Sequence, residues 1–302
     1  MPKILITGAS GFLGWNLCQL ARAEWEVYGT YYQQSIEIPN VNIDRLDLTS
    51  LDLLKAEIDR IAPDAIIHTA AASKPNFCQQ YPELSYQINV SASQLLAKIC
   101  ADAKIPFVFT STDLVFDGTK PPYLETDPVS PINIYGEQKV AAECDILTTY
   151  DRATVCRMPL MFGMAPPTAT SFIQPWIKAL YSQQKLGLFI DEFRTPVSAR
   201  TAAQGLLMML QSSTSGIINL GGKERISRYD FGKLLAEVFE FDLALVSPIY
   251  QQDLVMAAPR AADVSLDSTK AISLGYGLPP LRQELELIKQ MTTHLVTTNM
   301  HD

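Results

Sequence analysis

Apolar residues recur with two alternating spacings through the first half of the chain, and the alternation predicts its elements. Lys3–Thr7 (KILIT) is a short, β-branched run of buried-strand length, and Phe12–Ala23 follows with Leu13, Leu17, Leu20 and Ala21 at helical spacing. Val27–Tyr31 reads as a second strand. A helix capped by Thr49 or Ser50 runs to Ile61 with Leu51, Leu54 and Ile58 on one face. Ala65–Thr69 (AIIHT), Pro106–Thr110 (PFVFT) and Thr154–Arg157 are further strands, separated by helical patterns over Tyr86–Ala103 and Tyr135–Leu147. Strand and helix in turn predict an α/β fold, a doubly wound parallel sheet with right-handed crossovers.

The second half is less regular. Ser171–Gln183, Thr201–Gln211 and Tyr229–Phe239 have helical patterns and Gly216–Leu220 is strand-like, while Pro248, Pro259 and Pro279-Pro280 punctuate the remainder into small elements joined by turns. The expected organisation is a sheet domain over 1–165, to which 190–222 returns. A smaller α+β domain, mainly 166–302, closes over the sheet's carboxyl edge, with the boundary near Gly163–Pro167.

Composition narrows the class. Of 302 residues, 47% are hydrophobic and 19% charged, which suits a globular chain rather than a disordered one. A net charge of −8 disfavours non-specific attraction to nucleic acid or to an anionic membrane. Five scattered cysteines without a C-x-x-C pair read as free thiols of a reducing compartment. Neither a secretory apolar region nor a run near the ~20 apolar residues of a membrane span is visible, so a cytoplasmic location is expected. The three histidines, His68, His294 and His301, have no zinc spacing, and no metal is expected.

Chemistry enters between the first strand and helix, at Thr7-Gly8-Ala9-Ser10-Gly11-Phe12-Leu13-Gly14. Gly8 and Gly11 let the backbone turn tightly and approach a pyrophosphate, Gly14 lets the helix pack on the strand, and the helix N-terminus offers free N–H groups to the anion. The bland alternative is an ordinary strand-to-helix loop. Its position at the start of the chain, between a buried strand and an amphipathic helix, favours a dinucleotide site. Further on, Tyr135-Gly136-Glu137-Gln138-Lys139 is Y-x-x-x-K, and i and i+4 share a helix face. A phenol has a pKa of about 10, so a nearby cation must favour its phenolate before it exchanges protons near neutrality.

The G-x-x-G-x-x-G spacing together with Y-x-x-x-K resembles the extended short-chain dehydrogenase/reductases, a Rossmann-fold superfamily. Ser111-Thr112-Asp113-Leu114-Val115-Phe116-Asp117-Gly118, with Pro122 to Asp127, Pro131 and Tyr135-Gly136, looks like its dTDP-4-dehydrorhamnose reductase branch. Late markers are Arg194-Thr195-Pro196-Val197, Asn219-Leu220-Gly221-Gly222 and Ala258-Pro259-Arg260.

The resemblance implies catalysis by Thr112 (with Ser111 as its neighbour), Tyr135, Lys139 and Asn89, the last holding a water beside the lysine. It implies a cofactor held by Gly8, Ser10, Gly11, Phe12, Leu13, Gly14, Tyr31, Asp47, Leu48, Ala70, Ala71, Ala72, Thr110, Tyr135, Lys139 and Met158. Asp47 would meet the adenine amino group, though by itself it reads equally as a helix-capping acid. His68 reads as a buried strand residue. The second strand ends Tyr31-Tyr32-Gln33-Gln34 with no acid before Glu37, which disfavours strict NAD use, and with no Lys or Arg for a 2′-phosphate. NADP is favoured and NAD stays open.

Three departures bear on substrate. The branch's Trp after Arg157 is missing from Met158–Gly163, its Arg-Pro-x-Asn is replaced around Pro259-Arg260, and Asp113-Leu114 lacks the Asp-Glu pair of the 4,6-dehydratases. The expected function is an NAD(P)H-dependent reductase of a nucleotide-sugar ketone. The alternatives are a redox-neutral, NAD-retaining sugar-nucleotide epimerase and a non-catalytic NADP-binding regulatory subunit like that of methionine adenosyltransferase. A homodimer is compatible with all three.

Overall fold

The computed structural model describes residues 1–212 and 214–298, with the side chains of Leu51 and of residues 293–298 outside the description. In chain order the first half runs β1 (Lys3–Thr7), α1 (Phe12–Ala21), β2 (Glu26–Tyr31), β3 (Val41–Arg45), α2 (Leu51–Ile61), β4 (Ala65–His68), α3 (Pro75–Gln80), α4 (Pro82–Tyr86), α5 (Ala92–Ala103), β5 (Phe107–Thr112), α6 (Ile134–Thr149) and β6 (Thr154–Met158). The second half continues with β7 (Met161–Phe162), α7 (Ile173–Tyr181), β8 (Leu186–Phe189), β9 (Phe193–Arg194), β10 (Val197–Ser198), α8 (Ala199–Gln211) and β11 (Gly216–Asn219). It closes with β12 (Ile226–Ser227), α9 (Arg228–Phe239), β13 (Val246–Ile249), α10 (Thr269–Ser273) and α11 (Leu281–Thr298).

Seven strands form one parallel sheet in the order β11-β6-β5-β4-β1-β2-β3. Strand order reverses between β1 and β4, and a crevice opens there outside the carboxyl ends, where open α/β sheets take ligands. The period of two along a strand explains the layers. Ile4 and Ile6 face one side, with Leu17 of α1 and Leu206 of α8. Leu5 faces the other, with Leu54 of α2, Leu96 of α5 and Ile146 of α6. A separate core of Phe162, Trp176, Phe231 and Leu285 joins α7, α9 and α11, and a smaller one stacks Phe116 on Tyr123 at 4.1 Å.

Several elements differ from those expected. β3 adds a strand because Val41 and Ile43 pack beneath α1's core; their neighbours Asn42, Asp44 and Arg45 had masked it. The expected helix Tyr86–Ala103 is broken by a π turn over Gln87–Ser91 between α4 and α5. β5 runs two residues past Thr110, to Thr112. α11 replaces the small elements expected after Pro279-Pro280, burying Leu281, Leu285 and Ile288 at one helical stripe. On α2, Leu54 and Ile58 are buried, whereas the Leu51 side chain lies outside the described residues.

Candidate active site

The glycine turn stands at the sheet's reversal point. A Cβ at Gly14 would lie 2.2 Å from the Gly8 carbonyl oxygen, so α1 seats this deeply on the turn only with glycine there. Gly11 donates its N–H to that same oxygen at 2.9 Å. It is also the N-cap of α1 and makes no side-chain cap bond, so no side chain of the cap satisfies the amides at Phe12 and Leu13. A strand end, a tight turn and an uncapped helix start form a cradle for a pyrophosphate. Behind it, Thr168 Oγ1 donates to the Ser10 carbonyl at 2.7 Å and holds the turn from the far segment.

On one side of the turn a cavity of about 500 Å³ is lined by Gly8, Tyr31, Asp47, Leu48 and Ala70–Ala72. Asp47 Oδ1 accepts from the Thr49 amide (2.9 Å) and hydroxyl (2.7 Å), closing a local turn. That turn precedes α2, whose N-cap is Ser50 with no side-chain cap bond, so neither Asp47 nor the expected Thr49 or Ser50 side chain caps the helix, and Asp47 lines the cavity. Arg45 of β3 lies opposite Tyr31 in register, and its Nε donates to the Tyr32 carbonyl at 3.1 Å.

On the other side a cavity of about 560 Å³ is lined by Thr112, Asp113, Tyr135, Met158, Arg194 and Arg260, among others. Ser73, Lys74 and Phe77 line both cavities, which makes them one trench past the glycine turn. Tyr135 lines it from the first turn of α6, and Lys139 is buried one turn further along the helix. Asn133 Oδ1 caps that helix by accepting the Gly136 amide at 2.9 Å. A Cβ at Gly136 would lie 2.2 Å from the Leu114 carbonyl, so the glycine lets α6 close onto the end of β5.

Lys139, 1% exposed, donates to the Thr110 carbonyl at 2.9 Å and lies 6.0 Å from the centre of the Tyr135 ring. Burial pulls its pKa down to about 8, against the opposing pull of Glu143. The phenol departs from expectation. Burial raises its pKa above the ordinary value, Cys78 and Asp113 add to the rise, and the Thr112 hydroxyl only offsets it, so the lysine does not dominate. Pleating separates the hydroxyls of β5. Ser111 donates to Glu143 Oε1 at 2.5 Å, within a buried pair of Glu143 with Arg157 at 2.8 Å, and is spent there. Thr112 accepts the Leu114 amide and donates to Asp113 Oδ1 at 3.1 Å, on the cavity side.

Asn89 lies on the π turn and its side chain meets the loop after β4. Its Oδ1 accepts the Ala72 amide at 2.8 Å, and its Nδ2 donates to the Ala72 carbonyl (3.2 Å) and Gln138 Oε1 (2.8 Å). Both amide protons are engaged, so Asn89 clamps the Ala70–Ala72 loop to α6. The extra residue of a π turn is what aims it there. His68 is fully buried between Thr7 Oγ1 (2.6 Å) and Ser93 Oγ (3.0 Å), with burial pushing its pKa down to about 3. It is a neutral strand residue. Among the described residues no group of three or more His, Cys, Asp or Glu could hold a metal ion.

One part of the site was not anticipated as a unit. Arg194 approaches Asp113 at 3.7 Å and Glu192 at 3.7 Å, and Arg260 meets Glu192 at 3.2 Å. Asp113 is buried, its pKa raised by burial to about 6 despite Arg194, and its Oδ2 has no hydrogen-bond partner. These charges converge from β5, from the segment around β9 and from the loop at 258–260, a convergence only tertiary packing produces. The Asn133 cap, directly before a helical pattern, was detectable in the sequence.

A doubly wound parallel sheet with a glycine cradle at its reversal point and a Tyr/Lys pair on the adjoining helix defines a dinucleotide-fold protein of the short-chain dehydrogenase/reductase type. The chain belongs to the RmlD substrate binding domain family, which it matches over residues 2–294. It is 30% identical over 282 residues to methionine adenosyltransferase 2 subunit beta of Xenopus laevis, covering 91% of this chain and 83% of that protein. A hypothetical dTDP-4-dehydrorhamnose reductase from Sulfolobus tokodaii is 32% identical, with a TM-score of 0.82 over 93% of this chain and 98% of that one. The dTDP-4-dehydrorhamnose reductase of Bacillus anthracis in complex with NADP shares the fold at 22% identity, with a TM-score of 0.82 over 95% and 99% of the two chains.

Proposed function

We propose that this protein is an NAD(P)H-dependent reductase of a nucleotide-sugar ketone, favouring NADP. Residues 1–165 with 190–222 hold the dinucleotide, and 166–302 mainly hold the sugar. The observation that carries the reading is the pair of adjoining cavities, one lined by Gly8 just before the uncapped start of α1 and the other by Thr112 and Tyr135, with Lys139 buried behind. The residues fit the cofactor. Gly8, Ser10, Gly11, Phe12, Leu13 and Gly14 would meet the pyrophosphate, while Tyr31, Asp47, Leu48 and Ala70–Ala72 would enclose the adenosine. Thr110, Lys139 and Met158 flank the nicotinamide ribose and ring.

When bound, reduced nicotinamide supplies a hydride to the carbonyl carbon. Tyr135 gives its phenolic proton to the carbonyl oxygen as the C–O bond becomes single, and Thr112, by turning its hydroxyl proton from Asp113 Oδ1 to that oxygen, orients it. A phenol whose burial keeps it protonated suits the donor's part in reduction. Lys139, held by the Thr110 carbonyl, would offer its remaining N–H donors to the ribose hydroxyls and keeps a positive charge beneath the site. Asp113, Arg194 and Arg260 face the sugar end of the cavity.

The test is consumption of NADPH by the purified chain given dTDP-4-dehydrorhamnose and related 4-keto nucleotide sugars. Absence of turnover across that panel counts against the reading. Turnover without added cofactor, from tightly co-purified NAD, would instead indicate the epimerase. Likeness to the methionine adenosyltransferase subunit favours a second reading, an NADP-binding partner protein. Capture of a synthetase by a protein that reduces nothing would establish it.

A further inference from the structure

We infer that Arg45 selects the 2′-phosphate of NADP over the bare ribose of NAD, an assignment that rests on the dinucleotide reading above. In a doubly wound fold the group that meets the ribose 2′ position stands near the carboxyl end of the second strand, an acid for a hydroxyl or an arginine for a phosphate. Here that end is Tyr31-Tyr32-Gln33, which carries neither. The arginine comes instead from the neighbouring strand. Parallel pairing of β2 with β3 sets Arg45 opposite Tyr31, one residue before Tyr32.

Two contacts fix its direction. Nε donates to the Tyr32 carbonyl at 3.1 Å, and the guanidinium carbon lies 6.0 Å from the centre of the Tyr32 ring. The two terminal nitrogens are left without an ion pair among the described residues. The carboxylates beside it in the chain are engaged elsewhere: Asp44 receives Arg60 at 2.5 Å, and Asp47 Oδ1 receives Thr49. Tyr31, Tyr32, Gln33 and Asp47 all line the adenosine-side cavity, and the exposed guanidinium lies outside that lining, joined to it through Tyr32. A planar fork with free N–H donors matches a phosphate ester, whereas a hydroxyl offers it no charge.

Titration of the whole protein with NADP⁺ and with NAD⁺ in a calorimeter, for the native chain, Arg45→Gln and Arg45→Lys, tests the assignment without any turnover. The native protein is expected to prefer NADP⁺, and Arg45→Gln to lower the NADP⁺/NAD⁺ affinity ratio about tenfold or more. Arg45→Lys should restore part of the ratio. The pair 2′,5′-ADP and 5′-ADP should repeat the pattern with no nicotinamide present. If both dinucleotides bind and the ratio is unchanged in Arg45→Gln, the assignment to Arg45 is overturned while the dinucleotide reading stands. A parallel loss of both ligands overturns it equally, by making Arg45 a prop for Tyr32. A native protein that binds neither dinucleotide overturns both.

Discussion

At the catalytic end of the trench Thr112, Asp113, Tyr135 and Lys139 are each less than 8% exposed, and Thr112 and Lys139 are locked by hydrogen bonds to neighbouring backbone. At the adenosine end Tyr32 is 48% exposed, Arg45 is exposed and Asp47 half-buried, each of the last two held by one or two local bonds. The difference follows from what each end must do. Proton and hydride transfer need groups placed in advance in a low-dielectric pocket, where charges act strongly and pKa values move. Binding an adenosine needs only shape and a few polar contacts, and solvent weakens each of them. Substitutions should therefore have large effects at the buried end and small ones at the open end.

The largest effect is expected for Tyr135→Phe. Removing the proton donor should lower kcat by roughly 10²–10⁴-fold, while NADP⁺ affinity measured by titration stays close to native. Next is Glu143→Ala, which would leave the Arg157 guanidinium buried and unpaired behind β5. The cost should be about 3–5 kcal/mol of stability, read from urea unfolding. Gly14→Ala would press a methyl group into the Gly8 carbonyl and should cost about 1–3 kcal/mol, with dinucleotide affinity falling alongside. At the open end, Asp47→Ala should shift stability by only about 0.5 kcal/mol, visible as a small change in urea midpoint.

The buried charges also set a pH profile. Below about pH 6 Asp113 takes up a proton and its attraction to Arg194 is lost. Above about pH 8 Lys139 gives up its proton and the positive charge beneath Tyr135 disappears. The kcat/KM of reduction should be highest between those limbs. His68, neutral down to about pH 3, should contribute no step near the usual histidine range, and a His68→Gln profile unchanged in shape would agree.

Local pattern made the sheet legible where one residue type dominates. KILIT, AIIHT and PFVFT each carry an unbroken apolar run because both faces of a central parallel strand are buried. β3, at the sheet's edge, mixes Asn42, Asp44 and Arg45 with its two apolar residues and looked like loop. With it went the position of Arg45, since the pairing of β2 with β3 is a tertiary fact. The glycine turn and Y-x-x-x-K were readable because their spacing is local. The break at Gln87–Ser91 was not, nor was the bond by which Asn89, on that turn, accepts the Ala72 amide. The Asp113/Arg194/Glu192/Arg260 group joins residues far apart in the chain, which no single-sequence periodicity links. The phenol's raised pKa was likewise hidden, because spacing shows that a cation is near and says nothing of how deeply both groups are buried.

The most direct check is a paired assay of the native chain and Tyr135→Phe, each supplied with NADPH and a 4-keto nucleotide sugar, with NADPH affinity measured alongside. The native chain should oxidise NADPH in step with loss of the ketone. Tyr135→Phe should bind NADPH comparably and turn over at least a hundredfold more slowly. Equal rates for the two proteins, or tight NADPH binding by a native chain that reduces none of these ketones, would contradict the account.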